Sequence, residues 1–275
     1  MTDTLEDNIT LAVGLIKSAD GILVSSGAGI GIDSGLPDFR GGEGLWTAYP
    51  KLSHLSHISF VEMCHPKAMR DNYELVMGWY AHRLLDYRAT TPHRGYNMLL
   101  EIAQSAPRGY WGYTSNVDGQ WQKSGWPEDR LVECHGSVHW IQCEDKCHSG
   151  VWSADNFHPE IDIELCELTS EPPRCTICDA RARPNVMMFS DHYFSFWRED
   201  LQFWPFHKWA KSLDKLVVIE VGAGIAIPTV RMMGAEYSPN IIRINPSHTE
   251  CREGDISIPL GALDGISRIY DELSK

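Results

Sequence analysis

Nowhere does this 275-residue chain hold the ~20 consecutive apolar residues that a membrane-spanning helix needs, so no membrane helix is expected. Positive charge is also scarce. Lys and Arg number 24 against 37 Asp and Glu, a net charge of −13. No surplus of cations is left to displace phosphate counterions, and direct nucleic-acid binding is not expected. Long-range attraction of cationic, lysine-bearing protein segments is compatible with this charge, and so is simple solubility. Repeats and low-complexity linkers are absent. The opening residues, Met1 to Asp7, are acidic and show no signal-peptide pattern, so the expected compartment is the cytoplasm.

What is present is a sizeable apolar fraction, 43%, with ten Trp, enough for one large domain or one domain with a small insert. Short apolar runs at 21–26, 109–114, 131–134, 216–221 and 240–244 read as buried strands. Helical stretches are expected at 4–18, 66–88, 93–105, 198–212 and near 261–273. This alternation predicts an α/β fold, a Rossmann-like parallel sheet with helices on both faces. Two segments interrupt it. Residues 47–92 are mainly helical and rich in Tyr, His and Trp, and residues 143–185 carry cysteine pairs and little periodicity. The expected division is a discontinuous nucleotide-binding domain of 1–46, 93–142 and 186–275. A small module combines the helical insert 47–92 with the metal-binding insert 143–185.

The first strand runs into Gly27-Ala28-Gly29-Ile30-Gly31 and then a polar loop ending Pro37-Asp38-Phe39-Arg40. Small residues there admit a ligand close to the backbone, and free N–H groups could face a pyrophosphate. The glycine spacing is not Gly-x-Gly-x-x-Gly, and no helix clearly starts there, which argues against an ordinary dehydrogenase. Gly222 and Asn245 fall at or just past strand ends, on the edge where open α/β sheets bind ligands.

Eight cysteines in a reducing compartment seldom form disulfides. Cys143-x-x-x-Cys147 and Cys175-x-x-Cys178 have the spacing of a closed, structural Zn²⁺ site, with Cys166 or His148 open as substitutes for one ligand and iron open as the metal. His135 follows a predicted strand and precedes Gly136, so it is a candidate general base among twelve His. Asn116 and Asp118, in Ser115-Asn116-Val117-Asp118-Gly119, could hold ribose hydroxyls and a carboxamide, or simply form a turn.

In order and spacing these pieces resemble the sirtuin (Sir2) family over nearly the whole chain, as in a divergent bacterial-type member. The matching segments are Gly27-Ala28-Gly29-Ile30, Ser34 to Gly41, Asn116 to Gly119, His135-Gly136-Ser137, both cysteine pairs and Arg183 to Phe189. Val221 to Gly224, Ile244-Asn245 and Gly254-Asp255-Ile256 complete the set. The resemblance implies NAD in a cleft between the Rossmann-like domain and a zinc module. It implies removal of acyl groups from protein lysines, giving nicotinamide and O-acyl-ADP-ribose. By the same resemblance, His135 is the base, Asn116 positions the ribose and water, and Asp118 meets the carboxamide. Ala28, Asp38, Phe39 and Arg40 line the cofactor loop, with Phe39 shielding the reacting carbon from water. Gly27, Gly29, Ser115, Val117, Gly222, Ala223, Gly224, Asn245 and Ile256 complete the cofactor site. Val186, Met187 and Phe189 bind the acyl peptide. Tyr80 and Arg83 align with a pair that holds the carboxylate of acidic acyl groups, although an ordinary helix with a core Tyr and a surface Arg fits equally.

Departures from the family pattern are Ser115 for Gln, Gly31 for Ser, Ala223 for Ser or Thr, Ser190-Asp191 for Gly-Glu, and Pro246 in place of a backbone donor. Other readings of the same site are mono-ADP-ribosyl transfer, NAD hydrolysis and a non-catalytic NAD or ADP-ribose sensor. Retention of His135 and Asn116 favours deacylation.

Overall fold

The computed structural model describes residues 4–37 and 58–275. Asp38, Phe39 and Arg40 lie outside the described residues.

Eleven strands occur among the described residues: β1 (Gly21–Ser26), β2 (Tyr110–Thr114), β3 (Leu131–Glu133), β4 (Gly136–Cys143), β5 (Val151–Ser153), β6 (Ile161–Asp162), β7 (Glu167–Leu168), β8 (Ala182–Val186), β9 (Leu216–Val221), β10 (Ile241–Ile244) and β11 (Ile256–Ile258). The helices are α1 (Leu5–Ser18), α2 (Phe60–Met63), α3 (Pro66–Asp71), α4 (Tyr73–Ala89), α5 (Gly95–Gln104), α6 (Gln120–Lys123), α7 (Trp197–Lys211), α8 (Thr229–Tyr237) and α9 (Ala262–Leu273).

Six strands form one parallel sheet in the order β11-β10-β9-β1-β2-β3. Every residue of β1 and β9 is buried, as a strand covered on both faces must be. Helices α1, α5 and α9 cover one face around Ile9, Ile22, Leu99, Ile219 and Ile266. Helices α7 and α8 cover the other, around Leu23, Trp111, Phe206 and Val230. The chain leaves β1 toward β2 and β3, then returns to build β9, β10 and β11 on the opposite side. The crevice past the ends of β1 and β9 is therefore the topological switch point, where sheets of this class bind ligands.

Local signals explain several elements. Thr4 and Asp7 form a reciprocal capping box that starts α1, and Ile9, Ala12, Val13 and Ile16 give it one buried stripe. Helix α4 is buried nearly all round, because it forms the centre of the small lobe. A Cβ at Gly78 would lie 2.3 Å from the Cys166 carbonyl oxygen, so only glycine lets the chain before β7 cross α4.

The expected helix at 66–88 is two helices, broken at Asn72 with ψ near 71°. A 3₁₀ helix spans Ala28–Ser34, where no helix was expected. Strand β11 and helix α8 were likewise not expected. Strands β4, β5 and β8 form a separate antiparallel sheet, order β5-β4-β8. The expected boundary at 143 falls at the far end of β4, so we place the edges of the small lobe at Gly136 and Val186.

Candidate functional site

The loops after β1 and β9 interlock. Gly27 N–H donates to the Val221 carbonyl at 3.1 Å, and Gly29 N–H to that of Gly222 at 3.1 Å. A Cβ on Gly222, whose φ is +62°, would sit 2.5 Å from the Gly29 carbonyl carbon. These glycines thus shape the floor of the crevice. Their N–H groups are already bonded, contrary to the expectation that they face a pyrophosphate. Ala28 opens the 3₁₀ helix, while buried Ala223 and the adjacent Gly224 follow on the β9 side.

Beyond β2, Ser115 N–H donates to the Ser26 carbonyl at 3.2 Å. Asn116 N–H donates to Thr114 Oγ1 at 3.1 Å, which orients a side chain only 7% exposed. Its Nδ2 has no hydrogen-bond partner among the described residues. A buried donor left open in this way is costly unless a ligand takes it up. The Val117 carbonyl accepts from Val138 N–H at 3.0 Å. Asp118 Oδ1 accepts from Gln120 N–H at 2.9 Å, yet burial pushes its carboxyl up to about 6.

His135 occupies the junction of β3 and β4. Burial lowers its pKa below the ordinary 6.5, against an opposing backbone hydrogen bond to Ser115. The imidazole is therefore neutral at pH 7, as a general base requires. Its Nε2 lies 3.3 Å from Thr229 Oγ1, on the first residue of α8. Gly136 has φ +73°, and a Cβ there would meet the Asn185 oxygen at 1.9 Å, so glycine alone lets β8 pass this close. Met187 N–H donates to the His135 carbonyl at 2.9 Å, and Phe189 N–H to that of Cys64 at 2.8 Å. Val186, paired with Gly136, and Met187 thereby run beside the histidine, while Phe189 is tied to the segment at Cys64. Asp191, a departure from the family pattern, anchors this segment through a fully buried ion pair to Arg183 at 2.7 Å.

Tyr80 and Arg83 are both buried among the aromatic rings of α4, so the surface-Arg alternative is wrong. Asn245 turns its Oδ1 to Ser247 and His248 N–H and its Nδ2 to the Ala223 carbonyl, fixing the turn after β10. The Ile256 side chain belongs to the core of the sheet, on β11. Three contributors were missed. His93 Nε2 bonds the Ile30 carbonyl at 2.8 Å and steadies the 3₁₀ helix. His139 Nε2 bonds the Asp118 carbonyl at 3.1 Å, and Thr229 meets His135. None lies in a sequence pattern that marks it.

In the small lobe, Cys143, Cys147, Cys175 and Cys178 place their sulfurs within 4.8 Å of one another. Cys143 and Cys178 are 3.6 Å apart, as are Cys147 and Cys175. That is too long for a disulfide and close to the ~3.8 Å edge of a tetrahedron with Zn–S bonds of ~2.3 Å. The donor set fits a structural Zn²⁺. His148 Nε2 lies 3.4 Å from the Cys175 sulfur, outside the four, and Cys166 is buried elsewhere, against α4.

A doubly wound parallel sheet with its polar groups gathered at the switch point, and a four-thiolate module beside it, defines a nucleotide-binding α/β protein with a structural metal site. The chain belongs to the Sir2 family, whose profile matches residues 27–220. It is similar to the NAD-dependent protein deacylase of Aquifex aeolicus, 27% identical over 256 residues, covering 92% of this chain and 95% of that one. It is also similar to that of Deinococcus radiodurans, 29% identical over 270 residues, covering 96% and 99%. A solved Sir2 homologue–NAD complex superposes with a TM-score of 0.72 at 20% identity, covering 96% of this chain and 93% of that one, a likeness of fold.

Proposed function

We propose that this protein is an NAD-dependent protein-lysine deacylase that releases nicotinamide and O-acyl-ADP-ribose. The observation that carries the reading is a neutral His135, bonded through its ring to the Ser115 backbone and through its carbonyl to Met187 N–H, together with the unpartnered Nδ2 of Asn116, the residue after Ser115. NAD, when bound, supplies the activated ribose carbon and the hydroxyl that becomes acylated. His135 takes the proton from that hydroxyl. Asn116 Nδ2 holds the ribose side, and Asp118 holds the carboxamide. Gly27, Gly29, Gly222, Ala223 and Gly224 let the cofactor approach the sheet edge; Asp38, Phe39 and Arg40, outside the described residues, keep the cofactor-loop role that the family resemblance gives them. Val186, Met187 and Phe189 hold the acylated peptide by strand pairing. Zn²⁺ on the four cysteines fastens the cysteine-bearing end of the small lobe, beside the small apolar cluster of Ile141, Ala154 and Ala182.

Tyr80 and Arg83 assign a preference for acyl chains that end in a carboxylate. The Tyr80 hydroxyl is buried with no nitrogen or oxygen partner among the described residues; it meets the Cys64 thiol, a weak contact that a carboxylate could displace. No described helix is long and apolar enough to cross a membrane. Eight unpaired thiols support the cytoplasm as the compartment.

The test is mass spectrometry of products formed from NAD and acetyl-, succinyl- and long-chain-acyl-lysine peptides. Free lysine together with O-acyl-ADP-ribose is expected. ADP-ribose alone would mean NAD hydrolysis, a protein mass gain of one ADP-ribose would mean transfer, and binding without turnover would mean a sensor.

A further inference from the structure

We propose that the outer face of α7 is the contact surface of a symmetric, antiparallel dimer of this chain. The inner face of α7 is occupied: Arg198, Gln202, Phe206 and Ala210 are buried against the sheet. The outer face carries Trp197, Leu201 and Trp204, and Tyr193 and Phe196 stand just before the helix. All five are between 45% and 61% exposed. Together they leave on the order of 500 Å² of apolar side chain in water, near the upper limit for a lone monomer. A standard interface needs about 800 Å² from each partner, so this stripe supplies the greater part of one.

The spacing and charge of the stripe indicate what covers it. Trp197, Leu201, Trp204 and Lys208 follow one another at intervals of four, three and four. This is the seam pattern of paired helices, in which the side chains of one helix fill the gaps of the other. The helix is acidic at its start, with Glu199 and Asp200, and basic at its end, with Lys208 and Lys211. Two copies running antiparallel therefore place acid against base at both ends, a self-complementary arrangement of the kind two-fold symmetry requires. With the axis between Leu201 and Trp204, each Leu201 packs on the other copy's Trp204. Each Lys208 then falls over the other copy's Trp197, within reach of its Asp200. Asp200 and Lys208 are exposed and make no ion pair among the described residues, so both are available. A foreign partner would have no reason to match both ends of the same helix.

Sedimentation equilibrium of the full chain from about 1 to 100 μM tests the proposal. The expected result is a reversible dimer. Leu201→Asp should weaken it at least about tenfold, with the circular dichroism melt unchanged because the site is exposed. Asp200→Lys and Lys208→Asp should each weaken it, and the two together should restore it. That rescue would not follow from misfolding or from a chance apolar contact. A monomer throughout the range would overturn the proposal, as would a dimer indifferent to Leu201→Asp. So would a monomer that floats with phosphatidylcholine–phosphatidylglycerol vesicles through the same residues, since the face would then meet lipid.

Discussion

Nε2 of His135 lies 3.3 Å from Oγ1 of Thr229, which joins the end of β3 to the start of α8 across the mouth of the crevice. The ring nitrogen that faces Thr229 is thus turned toward a hydroxyl, the kind of group from which the proposed reaction takes its proton. Replacing His135 by Ala should abolish deacylation while leaving NAD affinity within a few-fold, as isothermal titration would show. Burial holds the imidazole below 6.5, so the midpoint of the acid limb of the rate profile should also lie below pH 6.5. An acid limb centred above 6.5 would place the base elsewhere.

Asp118 makes a second, opposite use of burial. Its folded pKa of about 6 stands above the ordinary 3.8, so between those values the folded chain binds more protons than the unfolded one. Stability therefore falls as pH rises through this window, and the full cost of about 3 kcal/mol is present above pH 6. Asp118→Asn keeps an oxygen for the Gln120 N–H and removes the charge. It should raise the melting temperature at pH 8, with the gain vanishing near pH 4, while turnover falls. A gain independent of pH would show that the carboxylate is not the source of the cost.

The parallel sheet was legible because its strands are apolar throughout, and the cysteine site because its ligands are close in sequence. Strand β8 was not. All five residues of Ala182-Arg183-Pro184-Asn185-Val186 are buried, but two are polar and one is proline. Arg183 is neutralised by Asp191, and Asn185 Nδ2 donates to Gln142 Oε1 at 2.9 Å and to the Ser195 carbonyl at 3.0 Å. These partners lie 8 to 43 residues away, so no local window reports that the strand can be buried. Thr229 was hidden for the same reason: its meaning is a contact with a residue 94 positions earlier. Asn245, by contrast, was seen at the correct edge, but its Oδ1 caps its own turn and its Nδ2 ties that turn to the Ala223 carbonyl.

Cys175→Ser tests the four-thiolate site. The other three sulfurs cannot complete a tetrahedral shell, so zinc measured by inductively coupled plasma mass spectrometry should fall from about one per chain to well below it. The cysteine-bearing end of the small lobe should become protease-sensitive first, because the apolar cluster nearest it, Ile141, Ala154 and Ala182, is small, while the α4 end keeps its larger core. The same substitution at Cys166, buried against α4, should leave the metal in place. Zinc lost from the Cys166 variant and kept by Cys175→Ser would reassign the ligand set.

The acyl-group preference proposed above turns on Arg83. Its guanidinium stacks 4.7 Å from the Trp79 ring and 5.4 Å from that of Tyr87, and its Nε donates to the Tyr87 hydroxyl at 2.9 Å. This cage holds a cation in a region that includes Asp118, whose carboxyl it draws downward. In the proposed reading, a substrate carboxylate entering beside the Tyr80 hydroxyl would pair with that cation in low dielectric, where a charge-assisted bond is strong. Arg83→Met keeps the length of the stem and removes the charge. Its kcat/KM for succinyl-lysine peptide should fall at least about tenfold more than that for acetyl-lysine peptide. The ratio matters because loss of a buried, stacked arginine lowers stability whatever its role. Equal losses on both peptides would make Arg83 a packing residue of α4 and remove the assigned preference.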